Sequence, residues 1–517
     1  MVVLDGEHLS LEDVRAVSIG REPVALAPHA RRRMESSRAA VEKVIQSDQV
    51  VYGVNTGVGK LSDVRIGHDQ LRQLQLNLVR SHAVGVGESL PAAEVRAMML
   101  IRANVMAKGL SAIRPQVAEL LCEMLNRGVH PIVPSRGSVG ASGDLAPLAH
   151  MALVLIGEGE AHVATTRGDE TGRVRPEQGS RDKERLPGRT ALERAGLEPI
   201  QLHAKEGISL LNGTQAMLGA GCLALLESEI LADTADVVCA LSLDALRGTP
   251  VAFDPRIHEA RPHPGQAASA RNLIRMLEGS EIRASHLACR RVQDAYSLRC
   301  APQVHGAVRD ILSSARRALE IELNSATDNP LVFGEEVLSG GNFHGQPVAL
   351  WLDALAMALA CLSGISERRI DRLVNPELNE GLPPFLAGHA GLESGFMMAQ
   401  VTAAALVGEN RALATPASVQ SITTSGNKED YVSMGMNAAL KLRQSVANTT
   451  SVLAIEALCA AEALDCLLPL KTSPRGQKAQ EAIRSAAARL KGDRVLSGDI
   501  ARVAEQIRRG RLRAALG

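Results

Sequence analysis

Aromatic side chains are nearly missing from this 517-residue chain: one tryptophan, three tyrosines and five phenylalanines make up 2% of it. A core of this size must be filled by aliphatic and small side chains. The dominance of Ala, Leu, Arg and Glu then favours long helices over a strand-rich architecture. Net charge is missing too, with 57 basic against 57 acidic residues, so nothing points to nucleic acid or a membrane surface as a partner. The eight cysteines, at 122, 222, 239, 289, 300, 361, 459 and 466, form no Cys-x-x-Cys pair and no zinc-finger spacing with histidine. They read as buried, reduced thiols of a cytoplasmic protein, and no metal is expected. No run approaches 18 apolar residues, so no membrane span is expected. The first residues, MVVLDGEHLS, carry charge too early for a signal peptide.

Length alone suggests about three domains. Residues 1–215 alternate short Gly- and Pro-punctuated segments with moderate helices, 216–470 read as long helices, and 471–517 as a basic, solvated helical end. Val304, Val308, Ile311, Leu312, Ala315 and Leu319 recur at helical spacing, with arginines on the other face. The segment Trp351 to Ile365 is apolar nearly all round except for Asp353, so other helices must enclose it. The expected fold is all-α: a long central helix bundle with a smaller, mixed but mostly helical N-terminal region. Residues 164–190 are dense in charge, Gly and Pro and read as a mobile surface loop.

The stretch GSVGASGDLAPLAH at 137–150 carries the chemistry. If the amide nitrogen of Gly143 attacks the carbonyl carbon of Ala141 and two waters leave, Ala141-Ser142-Gly143 becomes a 4-methylideneimidazol-5-one ring (MIO), an electrophile made from the chain itself. Gly143 lacks a Cβ and can approach a carbonyl closely. Ser142 carries the hydroxyl whose loss creates the exocyclic methylidene, and Ala141 is small enough not to crowd the ring. An isolated Ala-Ser-Gly triplet is usually a plain turn, but here it does not stand alone. YGVNTGVG at 52–59, LVRSHAVGVG at 78–87, KEGISLLNGTQA at 205–216, VQDAYSLRCAPQV at 292–304, SGGNFHGQPVA at 339–349 and NKEDYVSMG at 427–435 accompany it. Together, from Tyr52 to about Leu512, they resemble the MIO-dependent aromatic amino acid lyases and aminomutases, closest to the branch that acts on histidine.

That resemblance implies a role for each matching position. Tyr52 matches the base that takes the β-proton, which near neutral pH requires its pKa to fall from about 10. Tyr296 matches an assisting hydroxyl. Arg299 matches the arginine that grips the substrate carboxylate with a planar fork, and Gln293 shares its helical face. Asn212 matches an amide that bonds the carboxylate or the ring carbonyl. Phe343 matches an aromatic against the ring, while His82 and Met397 match pocket residues. Glu429 stands where histidine lyases carry glutamate and the phenylalanine and tyrosine enzymes usually carry glutamine. A buried carboxylate needs a donor; imidazole supplies one, a phenol supplies a single hydrogen bond, and a phenyl ring none.

The expected reaction is elimination of ammonia from L-histidine to trans-urocanate, in a homotetramer with shared active sites and no diffusible cofactor. Alternatives are a tyrosine ammonia-lyase, a tyrosine 2,3-aminomutase, or a catalytically dead helical relative. Val58 of Gly-Val-Gly, Lys428 and Tyr431 depart from the family pattern, and Lys428 beside Glu429 could pair with it and blunt the substrate argument.

Overall fold

The computed structural model describes residues 1–47, 50–163, 166–168, 174–176, 184–287 and 292–517. Helices dominate, and the strands among the described residues are three or four residues long, so the all-α expectation holds. The chain forms two compact units interleaved in sequence, where the sequence suggested contiguous segments. One comprises Met1–Leu223, Arg317–Leu352 and Pro416–Leu440, and the other Ala224–Arg316, Asp353–Thr415 and Lys441–Gly517.

In the first unit, Ser10 opens the Leu11–Ser18 helix with a reciprocal cap: its hydroxyl accepts from Asp13 N, and the Asp13 carboxylate accepts from Ser10 N. The Ala92–Ala107 helix is enclosed almost completely, Met98 to Ile101 being fully buried. It carries two buried arginines to backbone acceptors. Arg96 donates to Val17 O and Leu125 O, and Arg102 Nη1 donates to Asn212 O at 2.7 Å. A buried guanidinium aimed at carbonyls in this way fixes the loop that presents them. Short strands flank the helices, among them a three-stranded antiparallel sheet of Val129–Pro131, Glu160–Val163 and Arg185–Pro187.

The second unit is built around buried charge. Glu456 accepts from Arg369 Nε at 2.5 Å and Nη2 at 2.9 Å, and from the hydroxyls of Ser242 and Ser366. Asp236 accepts from His305 Nδ1 at 2.8 Å, Arg309 Nη2 at 2.6 Å, Ser269 Oγ and Asn272 Nδ2. His305 Nε2 faces Arg369 Nη1 at 3.3 Å and links the two clusters. With Nδ1 donating and Nε2 accepting, His305 is the neutral imidazole, and burial pushes its pKa down.

Burial by itself would raise the Asp236 pKa, but Arg309, His305 and Ser269 outweigh it and hold the carboxyl at about 2. A carboxylate lowered from 3.8 in the unfolded chain contributes stability above that value and loses it as pH falls toward 2. Stability to urea is therefore expected to fall between about pH 4 and pH 2, and Asp236→Asn should flatten that part of the curve. A variant curve as steep as that of the parent would contradict this.

The helical stripe is confirmed: Val308, Leu312, Ala315 and Leu319 are buried on the Ala301–Leu323 helix. Other expectations need correction. The 471–517 end is not simply solvated, because Ala479, Ile483, Val503, Ala504, Ile507, Leu512 and Ala515 bury one face of it. The sequence spaces them at helical intervals, but the basic residues between them mask the pattern. The Gln346–Val374 helix is not enclosed all round, since Leu350, Met357 and Cys361 line an exposed face. Cys361 is thus no buried thiol, and Cys289 lies outside the described residues. Gln215–Ala245 and Gln346–Val374 are both long and apolar enough to cross a membrane by length and composition, and 89% of the first one's apolar window is buried, as in a core helix. Much of the loop expected at 164–190 lies outside the described residues. Within it, Thr166–Gly168 pairs with Val174–Pro176, Arg185–Pro187 is a sheet strand, and helix begins at Gly188.

Candidate active site

The Ala141-Ser142-Gly143 triplet lies in the first unit, between the Pro134–Arg136 strand and the Leu145–Leu155 helix. Gly140 and Gly143 have φ of +70° and +71°. A Cβ at Gly143 would sit 2.1 Å from Gly213 O, and one at Gly140 would sit 2.1 Å from Ser433 Oγ. Glycine suits both places: both have a positive φ, and the space a side chain needs is taken by the Gly213 backbone at Gly143 and by the Ser433 hydroxyl at Gly140.

The surroundings clamp this turn from both sides. Asp144 N donates to Gly213 O at 2.7 Å, and Met434 N donates to Val139 O at 2.8 Å. Ser433 Oγ donates to Gly140 O at 3.1 Å. The Asp144 carboxylate accepts from Met217 N at 2.7 Å and Ser138 Oγ at 2.8 Å. Burial nonetheless dominates and pushes its pKa up to about 6. The Leu145–Leu155, Gln215–Ala245 and Gly435–Cys466 helices all begin at these residues, so the positive ends of their dipoles gather at the turn.

Ser142 is held at both polar ends. Its carbonyl accepts from Asn212 Nδ2 at 3.0 Å, and its hydroxyl donates to Glu429 Oε1 at 3.0 Å. Asn212 Oδ1 is buried and has no hydrogen-bond partner. These residues suit the ring: glycine stands where backbone must approach backbone, a donor meets the carbonyl that the ring keeps, and an amide oxygen remains for a further donor.

A cavity of about 820 Å³ opens over the triplet, lined by Tyr52, His82, Ser142, Asn212, Phe343 and Glu429 among others. Six of the expected site positions thus meet in one place, with Ala141 and Gly143 behind Ser142. His82 Nδ1 lies 2.8 Å from Leu78 O; a carbonyl only accepts, so Nδ1 carries a proton and Nε2 is the ring's remaining polar atom. Glu429 Oε2 accepts from Thr424 Oγ1 at 2.7 Å. Lys428 also lines the cavity but makes no ion pair with Glu429 among the described residues, so the blunting that the sequence allowed does not occur.

Tyr52 departs from expectation. Burial, aided by the Glu429 charge, pushes its pKa up, against the backbone N–H of Gly59, which pulls it down. The sequence called for a downward shift, but it could not show that the phenol shares its cavity with a carboxylate.

Gln293, Tyr296, Arg299 and Met397 do not line this cavity; they belong to the second unit. Arg299 lies over the Tyr296 ring, 4.7 Å from its centre, and Tyr296 is 71% exposed. Gln293 and Arg299 line a separate cavity of about 560 Å³ with Arg247 and Arg283. Arg299 Nε is buried without a hydrogen-bond partner among the described residues. Met397 is partly exposed at the start of the Met397–Leu413 helix. Sequence reasoning missed Thr424, Asp144 and Arg102. The first two lay inside or beside motifs already in view, and Arg102 carried no signal that set it apart from Glu94 and Arg96, the other charged residues of its helix.

A helical fold that holds an Ala-Ser-Gly tripeptide beside a carboxylate and a partly buried phenol fits the class of lyases that carry a backbone-derived electrophile. The family model "Aromatic amino acid lyase" matches residues 9–485. The chain is 58% identical to a histidine ammonia-lyase of Koribacter versatilis (strain Ellin345), covering 99% of this chain and 98% of the relative. It is 55% identical to that of Anaeromyxobacter dehalogenans (strain 2CP-C), covering 99% of each. Among solved structures, histidine ammonia-lyase from Trypanosoma cruzi superposes with a TM-score of 0.90 at 40% identity, covering 100% of this chain and 94% of that one. Tyrosine aminomutase from Streptomyces globisporus gives 0.90 at 40% identity, covering 99% and 98%. The chain belongs to the aromatic amino acid lyase family, the MIO-dependent class, and is an ammonia-lyase.

Proposed function

We propose that this protein is a histidine ammonia-lyase, releasing ammonia from L-histidine to give trans-urocanate, with MIO formed from Ala141-Ser142-Gly143. The observation that carries the substrate is Glu429, a carboxylate at the cavity wall beside Ser142 with no cationic partner. Several relatives at 50–58% identity over nearly their full length are histidine ammonia-lyases, which supports the same reading.

The ring supplies an electrophile without any bound cofactor. Around it, Asn212 holds the Ser142 carbonyl, Phe343 and His82 shape the cavity, and Glu429 receives the imidazole N–H. Tyr52 takes the β-proton. Burial is the main cause of the upward shift at Tyr52 and the Glu429 charge a smaller one, so an imidazole N–H on Glu429 relieves only the smaller part. Arg299, Gln293, Tyr296 and Met397 act from a neighbouring copy, Arg299 binding the substrate carboxylate. The partnerless Nε of Arg299 and the exposed Tyr296 fit that role. The apolar stripe of Leu350, Met357 and Cys361 is the kind of surface a homotetramer covers. The described cysteines are free thiols, in keeping with a cytoplasmic enzyme.

The test is a comparison of L-histidine with L-tyrosine. Urocanate should form from the first, with a far higher kcat/KM than any product from the second. Glu429→Gln should narrow that selectivity by about 10- to 150-fold, the worth of one hydrogen bond to a charged group at ~1.5–3 kcal/mol. A ratio of rates is independent of how many sites carry the ring. If L-tyrosine is the better substrate, or if the ratio survives in Glu429→Gln, the reading is wrong.

A further inference from the structure

The hydroxyl of Ser142 must depart for the ring to form, and what it touches is a carboxyl group. Ser142 Oγ and Glu429 Oε1 lie 3.0 Å apart, within reach of proton transfer in either direction. The carboxyl is held from behind: Oε2 accepts from Thr424 Oγ1 at 2.7 Å, and Thr424 N donates to Glu429 O at 2.9 Å. The neighbouring carboxylate, Asp144, is already committed to Met217 N and Ser138 Oγ. We propose that Glu429 is the acid and base that dehydrates Ser142 during maturation, a catalytic task completed before substrate ever meets the same side chain.

This rests on the reading that residues 141–143 cyclise. In the first condensation Gly143 N bonds to the Ala141 carbonyl carbon, and the carbonyl oxygen leaves as water with one proton from Gly143 N and one from Ser142 N. In the second, the Cα–H bond of Ser142 breaks and its electron pair becomes the Cα=Cβ bond. The Cβ–Oγ bond breaks with its pair on oxygen. The Glu429 carboxylate takes the Cα proton through a water molecule; hydroxide leaves poorly, so Glu429 passes that proton to Oγ, which departs as water, and the residue ends as the carboxylate it began as. Asn212 Nδ2, donating to the Ser142 carbonyl at 3.0 Å, favours loss of that Cα proton by stabilising negative charge on the carbonyl oxygen.

The experiment follows the mass of the 141–143 peptide with time in full-length chain made by pulsed cell-free synthesis. It compares the parent, Glu429→Gln, Glu429→Asp and Thr424→Val, each checked for native far-UV circular dichroism. The parent should lose two waters. Glu429→Gln should retain the serine's water, with its loss slowed about 100-fold or more, the usual scale of a proton-transfer residue. Glu429→Asp should recover part of the rate. Thr424→Val keeps the carboxyl but frees it, and should mature more slowly than the parent. It also serves if Glu429→Gln does not fold. Loss of both waters at the parent rate in natively folded Glu429→Gln, or in Thr424→Val where only that variant folds, overturns this proposal alone. A parent that keeps both waters would overturn the ring assignment itself.

Discussion

Ser142→Ala is expected to abolish urocanate formation, lowering kcat by a factor on the order of 10⁴ to 10⁶, the scale on which an enzyme loses the group that bonds to its substrate. Alanine differs from serine only by the oxygen, and without that leaving oxygen the exocyclic Cα=Cβ double bond cannot form. The fold should survive. Among the described residues the hydrogen bond of Ser142 Oγ is to Glu429, which keeps its bond to Thr424 Oγ1, and the clamps at Gly213, Asn212 and Ser433 do not involve the lost hydroxyl. Steady-state kinetics on L-histidine, with circular dichroism as the control for folding, makes the distinction. Retention of more than about one per cent of parental kcat would show that elimination does not need the ring, since removing such a group leaves far less.

Glu456→Ala is expected to be the most destabilising single change in the second unit, by about 3–5 kcal/mol, because it strands Arg369 as a fully buried, uncompensated guanidinium. Two serine hydroxyls lose their acceptor as well, and His305, which faces Arg369 Nη1, loses part of its setting. Replacing both partners, Arg369→Met with Glu456→Leu, should recover most of that loss, since the desolvation penalty of two charges disappears along with their attraction. The urea midpoint of the helical signal reads both effects. Equal midpoints for the single and double variants would show that the stranded charge is not what destabilises the chain. Asp236, linked to this pair through His305, is held well below the usual carboxylate range by Arg309, His305 and Ser269, so the acid limit of the unit is set beside the same cluster.

Much of the site was legible because its chemistry is local. The Gly143 requirement, the serine before it and the helix that follows all fall within a dozen residues, and the structure has Gly143 at a positive φ and a helix from Leu145. Glu429 was legible as a residue type, a carboxylate in a motif where relatives differ. What could not be read was company. Ser142 and Glu429 are 287 residues apart in sequence, and only packing makes one the hydrogen-bond partner of the other. Tyr52 was correctly placed in the cavity but wrongly assigned a downward shift, because electrostatics depends on which charges become neighbours. The 471–517 end and the Gln346–Val374 helix were misjudged for a related reason: composition counts apolar residues but does not say which face finds a partner.

By itself, the sequence determined the helical class, the tripeptide that can condense and the side chains that surround a substrate, since covalent reactivity and helical periodicity are properties of neighbours along the chain. Tertiary structure alone decided that Glu429 stays clear of Lys428, that Asn212 holds the Ser142 carbonyl, and that Arg299 lies outside this chain's own cavity. The second of these turns on a distance of about 3 Å between residues far apart in the chain, as does the bond from Ser142 to Glu429, and a hydrogen bond exists only where folding closes that gap.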